Sequence, residues 1–289
     1  MKIFPDCIPC LLKQTLTTLQ FATDDPDLHI QGLKEIVRIM PSLIELPTPT
    51  HIGRVIHNLS KVTTCNPDPY KKVKTEHTET ALKLYPQLIA KLKSSTQKPL
   101  LTALKIAAAG NTIDFARGKD FDLSKELELT LNKEFKLCDY DKFINDLKKA
   151  DKILYIGDNA GETVFDKVLI EEINNYRKDK NVFYAVRGVP VINDATYEDA
   201  IASGISDVAE IVDSGTDAPA ALLEYCTPAF HKLFNQSSLI ISKGQGNYEG
   251  LSESNAPIYF LFKVKCPAIE KSLNATLGDL LLLRNPFSV

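Results

Sequence analysis

Two short segments place oxygen-bearing side chains after apolar runs of the sequence. Asp158 and Asn159 follow the run at 152–156, and Asp194 comes soon after the run at 181–186. Such runs are typical of buried strands, and residues just past the carboxyl ends of parallel strands line the ligand crevice of an open sheet. Carboxylate and amide oxygens suit hard cations such as Mg²⁺ and Mn²⁺. The three side chains are therefore predicted to converge on one divalent cation.

The segment at 157–162, GDNAGE, has two other interpretations. A glycine-bearing turn between a strand and a helix could hold a dinucleotide, but the spacing is G-x-x-x-G. Asp158 would also repel a pyrophosphate, at a cost on the order of a few kcal/mol in a partly desolvated cleft. Alternatively, Asp158 or Asn159 caps a helix beginning at Glu162, and Asp194 caps the next one. Acidic groups at two successive strand ends favour one shared site.

Basic and small residues at other strand ends are candidates for phosphate binding. Arg187 ends the second apolar run, and Lys243 ends the run at 238–242. The glycines after Lys243 let the backbone approach a ligand closely. Ser214 and Gly215 precede a predicted helix whose first amides could bind an anion. An ordinary turn is the alternative explanation for each of the two loops.

Two further motifs keep two interpretations each. Asn111 and Asp114 follow a run of small residues, and they either point into the same cleft or belong to tight helix packing. Cys7 and Cys10 form a C-x-x-C pair without a second pair at zinc-finger spacing. This pair is either two small residues at a helix start or a second metal or redox site.

The apolar spacing predicts a helical first half and an alternating second half. The predicted helices of the first half span 11–21, 28–40, 50–59, 71–84, 86–93 and 100–109, with Pro41 ending the second. The predicted strands are 152–156, 181–186, 208–212, 238–242 and 258–264, with helices at 162–175, 194–202, 218–234 and after Tyr248. Alternation of this kind predicts an α/β fold with a doubly wound, mostly parallel, Rossmann-like sheet. We therefore expect a helical subdomain at 1–145 and an α/β metal- and phosphate-binding domain at 146–289.

The composition excludes several classes of protein. The chain has 289 residues, a net charge of −3 and 44% hydrophobic residues. The sequence has no basic run with interleaved aromatic residues, which is the pattern that would indicate a nucleic-acid partner. It also has no apolar stretch that approaches the roughly 20 residues needed to span a bilayer. The N-terminal residues lack the apolar segment of a signal peptide. We expect a cytoplasmic protein, and the oligomeric state is not predicted.

Six motifs taken together resemble the damage-control phosphatase family, formerly a domain of unknown function and related to acidic-residue methyltransferase-like proteins. In chain order they are CIPC, AAAGNTID, GDNAGE, RGVPVINDAT, DSGTDAP and KGQGNYEG. The resemblance covers essentially the whole chain, and the C-x-x-C pair resembles the prokaryotic branch. It implies a divalent metal held by Asp158, Asn159 and Asp194. It also implies phosphate and substrate contacts from Asn111, Asp114, Arg187 and Lys243, and activity on phosphorylated metabolites that include sugar phosphates.

The predicted function is a metal-dependent phosphomonoester hydrolase. Its cofactor would be Mg²⁺, Mn²⁺, Co²⁺ or Ni²⁺, and its partner a small phosphorylated metabolite. Asp158 and Glu162 are the predicted catalytic residues, with Ser214, Gly215 and Asn247 as further substrate contacts. The alternatives are an S-adenosylmethionine-dependent carboxyl methyltransferase and a non-catalytic phosphometabolite-binding protein. A methyltransferase would have an acidic residue after the second strand, where this chain has Arg187.

Overall fold

The computed structural model describes residues 1–96, 98–110, 128–178 and 181–287. The N-terminal part is helical. Its helices are α1 (Cys7–Ala22), α2 (Pro26–Leu43), α3 (Pro49–Thr64), α4 (Lys71–Ser94) and α5 (Pro99–Gly110). The first three pack around one apolar cluster that includes Leu11, Ile36 and Ile56. The helices predicted in this half are therefore present.

Two prolines do not end helices as predicted. Pro41 lies inside α2, which continues to Leu43, and Pro86 lies inside α4. The segments predicted as 71–84 and 86–93 are thus one helix. An interior proline removes one backbone hydrogen bond. In α4, Leu84 and Leu88 on either side of Pro86 are buried, and their packing offsets that loss.

The remaining elements form an α/β arrangement. The strands are β1 (Phe135–Cys138), β2 (Ile153–Ile156), β3 (Val182–Val186), β4 (Glu210–Asp213), β5 (Leu239–Lys243), β6 (Ile258–Lys263) and β7 (Leu280–Arg284). The helices are α6 (Tyr140–Lys149), α7 (Thr163–Arg177), α8 (Tyr197–Ala202), α9 (Pro228–Gln236), α10 (Gln245–Leu251) and α11 (Pro267–Leu273).

The seven strands form one sheet in the order β1-β7-β6-β5-β2-β3-β4. Every neighbouring pair is parallel except β6 and β7. From β2 the chain proceeds to β3 and β4 on one side and then returns to β5 and β6 on the other. The fold prediction is therefore confirmed, and the switch point lies between β2 and β5, where open α/β sheets bind ligands.

Helices cover both faces of this sheet. Tyr155 and Ile241 share a core on one face with Leu104 of α5, and Leu154 and Phe260 lie in the core of the other face. A helix of the N-terminal half therefore packs directly on the sheet. The predicted boundary between 145 and 146 falls inside α6 and stays a prediction. In the described ranges, no helix is both long and apolar enough to cross a membrane.

Two predictions of local structure are wrong. The helix predicted at 218–234 begins only at Pro228, because a residue before proline disfavours helical angles and Thr227 caps the helix by accepting a hydrogen bond from the Phe230 amide. The helix predicted from Asp194 begins at Tyr197, where Thr196 and Asp199 form a capping box. The strands β1 and β7, which pair with each other, were not predicted.

Candidate functional site

Asp158 and Asp194 are brought side by side by the loops that follow β2 and β3. Asn159 and Asp194 form an isolated antiparallel bridge. The Ala160 amide donates to the Asn193 carbonyl at 2.8 Å, and the Ala195 amide donates to the Asp158 carbonyl at 2.8 Å. The structure therefore brings together the three residues predicted to hold a cation.

One guanidinium contacts both carboxylates. Arg187 Nε donates to Asp194 Oδ2 at 2.7 Å, and Arg187 Nη2 lies 3.9 Å from Asp158 Oδ1. Nη2 also donates to Asn247 Oδ1 at 3.3 Å. Arg187 is 2% exposed and is thus directed at the carboxylates. Its predicted contact with phosphate stays a prediction.

Lys243 is buried beneath the same cluster. Its ammonium lies 3.0 Å from Glu162 Oε2 and 2.6 Å from Asp166 Oδ1. Asp166, which was not predicted, also accepts hydrogen bonds from the hydroxyls of Tyr155 and Tyr184 at 2.7 and 2.8 Å. The available signal for Asp166 was its position one turn after Glu162 among apolar residues. Lys243 therefore orients Glu162, and its predicted phosphate contact also stays a prediction.

Gly244 lets the backbone approach Asp158. Its φ is 80°, and a Cβ atom at this position would lie 2.0 Å from Asp158 Oδ2. Close approach was predicted at this loop, but toward a ligand. In the structure the glycine fixes the position of a carboxylate.

Asn247, Ser214 and Gly215 lie behind the site rather than facing it. Asn247 Nδ2 donates to the carbonyls of Gly157 and Lys243 at 3.0 and 2.7 Å. Ser214 Oγ donates to the Val186 carbonyl, and the Gly215 amide donates to Asp213 Oδ1, each at 2.6 Å. The anion site predicted at this turn required a following helix, and 218–222 is not helical. Asn247 and Ser214 thus connect neighbouring strand ends, and the Gly215 amide closes the turn after β4.

The carboxylates line one end of a cavity of about 540 Å³. Asp158, Asn159, Glu162 and Asp194 form that end, and α1 contributes Cys7, Cys10, Leu11 and Gln14. Lys265, in the segment after β6, also lines the cavity. It was not singled out from the sequence, although it follows a predicted strand as Lys243 does. Its charge lowers the pKa values of Asp158 and Glu162.

The carboxylates outnumber the cations buried with them. Burial raises the pKa of Asp158 well above its usual range, and the charges of Glu162 and Asp194 raise it further. Burial also raises the pKa of Asp194, against the effect of Arg187. The pKa of Glu162 is lowered instead. The effect of burial on this group is outweighed by the charges of Lys243 and Lys265 and by a hydrogen bond from Asn159. A divalent cation would relieve this repulsion.

The donor set fits a hard cation through carboxylate and amide oxygens. No three His, Cys, Asp or Glu side chains are grouped as a metal site in the residues that the structure describes; the predicted set consists of two aspartates and an asparagine. Asn111 and Asp114 lie outside the described residues. Their predicted contacts with substrate are therefore not placed.

The cysteine pair also lines this cavity. Burial raises the pKa values of Cys7 and Cys10, and the charge of Cys266 acts in the same direction. The Cys266 sulfur accepts a hydrogen bond from Gln245 Nε2 at 3.2 Å. Raised pKa values favour neutral thiols over thiolates, which are the nucleophiles and metal ligands. The predicted metal or redox role of the pair stays a prediction.

Comparison with known proteins gives the family of the chain. The model of the Damage-control phosphatase ARMT1-like domain matches residues 3–281. An uncharacterized protein of Methanocaldococcus jannaschii is 36% identical over 98% of this chain and 96% of its own. A damage-control phosphatase of Pyrococcus horikoshii is 33% identical over the full length of both chains.

A solved structure agrees with these matches. The crystal structure of a DUF89 family protein from Pyrococcus horikoshii superimposes with a TM-score of 0.90 at 32% identity and covers 99% of both chains. Family model, relatives and solved structure all span nearly the whole chain, as the six sequence motifs do. The chain belongs to the damage-control phosphatase family of ARMT1-like domains.

Proposed function

We propose that this phosphatase is a metal-dependent phosphomonoester hydrolase that acts on small phosphorylated metabolites by in-line phosphoryl transfer. The observation that carries the proposal is the excess of buried carboxylates at the switch point of the sheet. Four buried carboxylates are accompanied by only two buried cations, Arg187 and Lys243. The carboxylates are those of Asp158, Glu162, Asp166 and Asp194. An uncompensated negative charge there favours a bound divalent cation.

Asp158, Asn159 and Asp194 would hold that cation. Their oxygen donors suit Mg²⁺ and Mn²⁺, and also admit Co²⁺ or Ni²⁺. When bound, such an ion neutralises phosphoryl charge and makes water a better nucleophile. Arg187, which contacts Asp194 directly and lies near Asp158, would hold both carboxylates in place.

Glu162 is suited to accept a proton during hydrolysis. Its pKa is lowered by Lys243 and Lys265 against the effect of burial, so the carboxylate is ionised near neutral pH. It lies at the cavity surface one turn from the proposed ligands. The nucleophile is then either a water that Glu162 deprotonates or a carboxylate of the cluster. Among the carboxylates, Asp158 is the preferred candidate for direct attack.

Lys265 is the side chain we assign to the phosphate. It lines the cavity, and its ammonium acts on both Asp158 and Glu162. A phosphate bound in this cavity beside the carboxylates would therefore have a cation available to it. Arg187 and Lys243 have carboxylate partners instead, which favours positioning roles for them.

The test is a panel of phosphate esters, including sugar phosphates, assayed with Mg²⁺, Mn²⁺, Co²⁺ or Ni²⁺ and with a chelator. We expect turnover that depends on the added metal and is lost with the chelator. Binding of esters without turnover would indicate a phosphometabolite-binding protein instead. Calorimetric binding of S-adenosylmethionine would favour the methyltransferase alternative.

A further inference from the structure

Ile192 is a β-branched residue held at a left-handed backbone angle, with φ 45°. The other non-glycine residues with positive φ in the described ranges are Cys65, Lys178 and Asn274. Each of them ends a helix, α3, α7 or α11, where a left-handed residue is common. Ile192 ends no helix, because it lies in the loop between β3 and α8. Its backbone angle therefore needs a different explanation.

The left-handed angle belongs to a turn that delivers Asp194 to the site. The Asp194 amide donates to the Val191 carbonyl at 3.1 Å, which closes the turn around Ile192 and Asn193. The Asn193 carbonyl then accepts from the Ala160 amide in the loop after β2. The turn itself thus accounts for the angle, but it does not account for an isoleucine side chain there.

Backbone stability alone favours a different residue at position 192. Glycine adopts positive φ without a steric penalty, and asparagine does so more readily than a β-branched residue, for which the angle is an outlier. Strained residues of this kind cluster at ligand-binding sites, where the side chain serves another purpose. The location of Ile192 indicates what that purpose is.

Ile192 lines two cavities. It lines the 540 Å³ cavity together with its loop neighbour Asp194 and with Asn159. It also lines a space of about 10 Å³ together with His57 and Tyr70. The residue is half-buried, so it adds apolar surface to the wall of the cavity that holds the carboxylates.

We propose that Ile192 determines specificity by packing against the organic part of a phosphate ester whose phosphate lies at the Asp158 end. This inference rests on the proposed function. It names the preferred substrate class as phosphomonoesters with apolar or aromatic surface close to the phosphorus. A purely polar leaving group would gain nothing from this contact.

The test compares two ligands that share a head group and differ in their organic part. Phenylphosphonate and methylphosphonate are titrated calorimetrically into the wild type and into Ile192→Gly, each with Mn²⁺. The glycine variant keeps the left-handed angle and removes the side chain. We expect the preference for phenylphosphonate to fall about fivefold in Ile192→Gly, as for a partly buried aliphatic contact. The Kd of methylphosphonate should stay within about twofold of the wild-type value.

Two further variants serve as controls. Val191→Ala alters a buried neighbour in the same loop that lines only the small cavity, so the ligand preference should remain. Ile192→Val keeps the branched side chain and should fall between the wild type and the glycine variant. If Ile192→Gly does not fold, Ile192→Asn tolerates the backbone angle and carries the same comparison.

An equal loss of affinity for both phosphonates would overturn the proposal, because the turn would then act only by positioning Asp194. An unchanged preference in Ile192→Gly would also overturn it. If the wild type binds neither phosphonate and hydrolyses no ester with metal, the proposed function fails first, and this inference fails with it. That result is obtained before any variant is made, so the two failures are distinguishable.

Discussion

Asp158 is the residue on which the proposed chemistry depends most. Asp158→Asn keeps the size of the side chain and removes its charge. We expect hydrolysis of phosphate esters to fall about a hundredfold or more, as when a single group that stabilises the transition state is lost. Asp6→Asn is the matched control, because Asp6 lines the same cavity but pairs with the exposed Lys271.

The same variant should make the metal-free protein more stable. Burial, Glu162 and Asp194 raise the pKa of Asp158, so its ionised form is less stable in the folded state than in the unfolded state. This penalty grows as the pH rises above the usual pKa of a carboxyl group, and the neutral amide avoids it. The difference in Tm between Asp158→Asn and the wild type, at pH 8 in the presence of a chelator, measures this penalty. A lower Tm for Asp158→Asn than for the wild type would contradict this electrostatic account.

Glu249 gives a second prediction for a single side chain, and this prediction is independent of the metal. Burial raises its pKa to about 7 from its usual 4.5, against a hydrogen bond from Gln245. The folded state therefore holds a proton that the unfolded state releases between these values, and stability falls as the pH rises from 4.5 to 7. The loss amounts to about 3 kcal/mol and is constant above pH 7.

Glu249→Gln should remove this loss. Denaturant unfolding of the wild type and the variant across pH 4–9 measures the difference, in which the titration of other groups cancels. Glu253→Gln is the control, because that side chain is 73% exposed. Parallel stability curves for the wild type and Glu249→Gln would contradict the raised pKa.

At the scale of elements, the turn from β5 to α10 fixes Asp158. Gly244→Ala would place a methyl group against Asp158 Oδ2, at a φ of 80°. We expect kcat/KM to fall about a hundredfold, since a displacement of roughly 1 Å at a catalytic group has effects of that order. The measurement is steady-state kinetics with metal in excess.

Gly278→Ala separates displacement from backbone strain. Gly278 has a φ of 88°, and a Cβ atom there would meet only the ends of Lys263 and Lys133 at 3.6 and 3.7 Å. Both variants should be destabilised by about 1–2 kcal/mol, which is the cost of a left-handed non-glycine residue. Only Gly244→Ala should lose activity, and an equal loss in Gly278→Ala would refute the assignment.

The sequence predicts elements where a local signal and a topological rule agree. β2 and β3 are apolar runs, and parallel strands end at one edge of a sheet, so Asp158 and Asp194 could be placed together. β1 could not be found, because its residues FKLC do not form a continuous apolar run and the strand is formed by pairing with β7, far away in the chain. Pro86 was wrongly predicted to separate two helices for a related reason, because tertiary packing stabilises α4 on both sides of this proline.

Charge partners are harder to predict than positions. Arg187 and Lys243 were placed correctly at strand ends, yet the sequence does not tell whether a basic group faces a phosphate or a carboxylate. The ion pair between Asp166 of α7 and Lys243 of β5 requires that α7 packs on the sheet. Lys265 was missed although it follows β6, because no glycine or acidic residue beside it marked the position.

Across the molecule, ion pairs join the N-terminal helices to the α/β part. Lys74 Nζ lies 3.0 Å from Asp199 and 3.1 Å from Asp68, and Arg54 pairs with Asp217 at 2.5 Å. The α1 and α3 residues of the cavity wall thus belong to the same body as the strand ends. A ligand bound between them should stabilise the chain as one unit.

Metal binding should therefore raise the unfolding temperature of the entire protein. A ligand at a hundred times its Kd adds about 2.7 kcal/mol to the free energy of unfolding, which corresponds to about 4–5 °C for a chain of this length. We expect this shift when Mn²⁺ is added to chelator-treated wild type and to Asp6→Asn, measured by calorimetry. Asp158→Asn and Asp194→Asn should show little shift, because each removes a charged donor from the proposed set. An equal shift in all four proteins would place the stabilising ion elsewhere, whereas a shift confined to the wild type and Asp6→Asn can come only from a cation that both aspartates share.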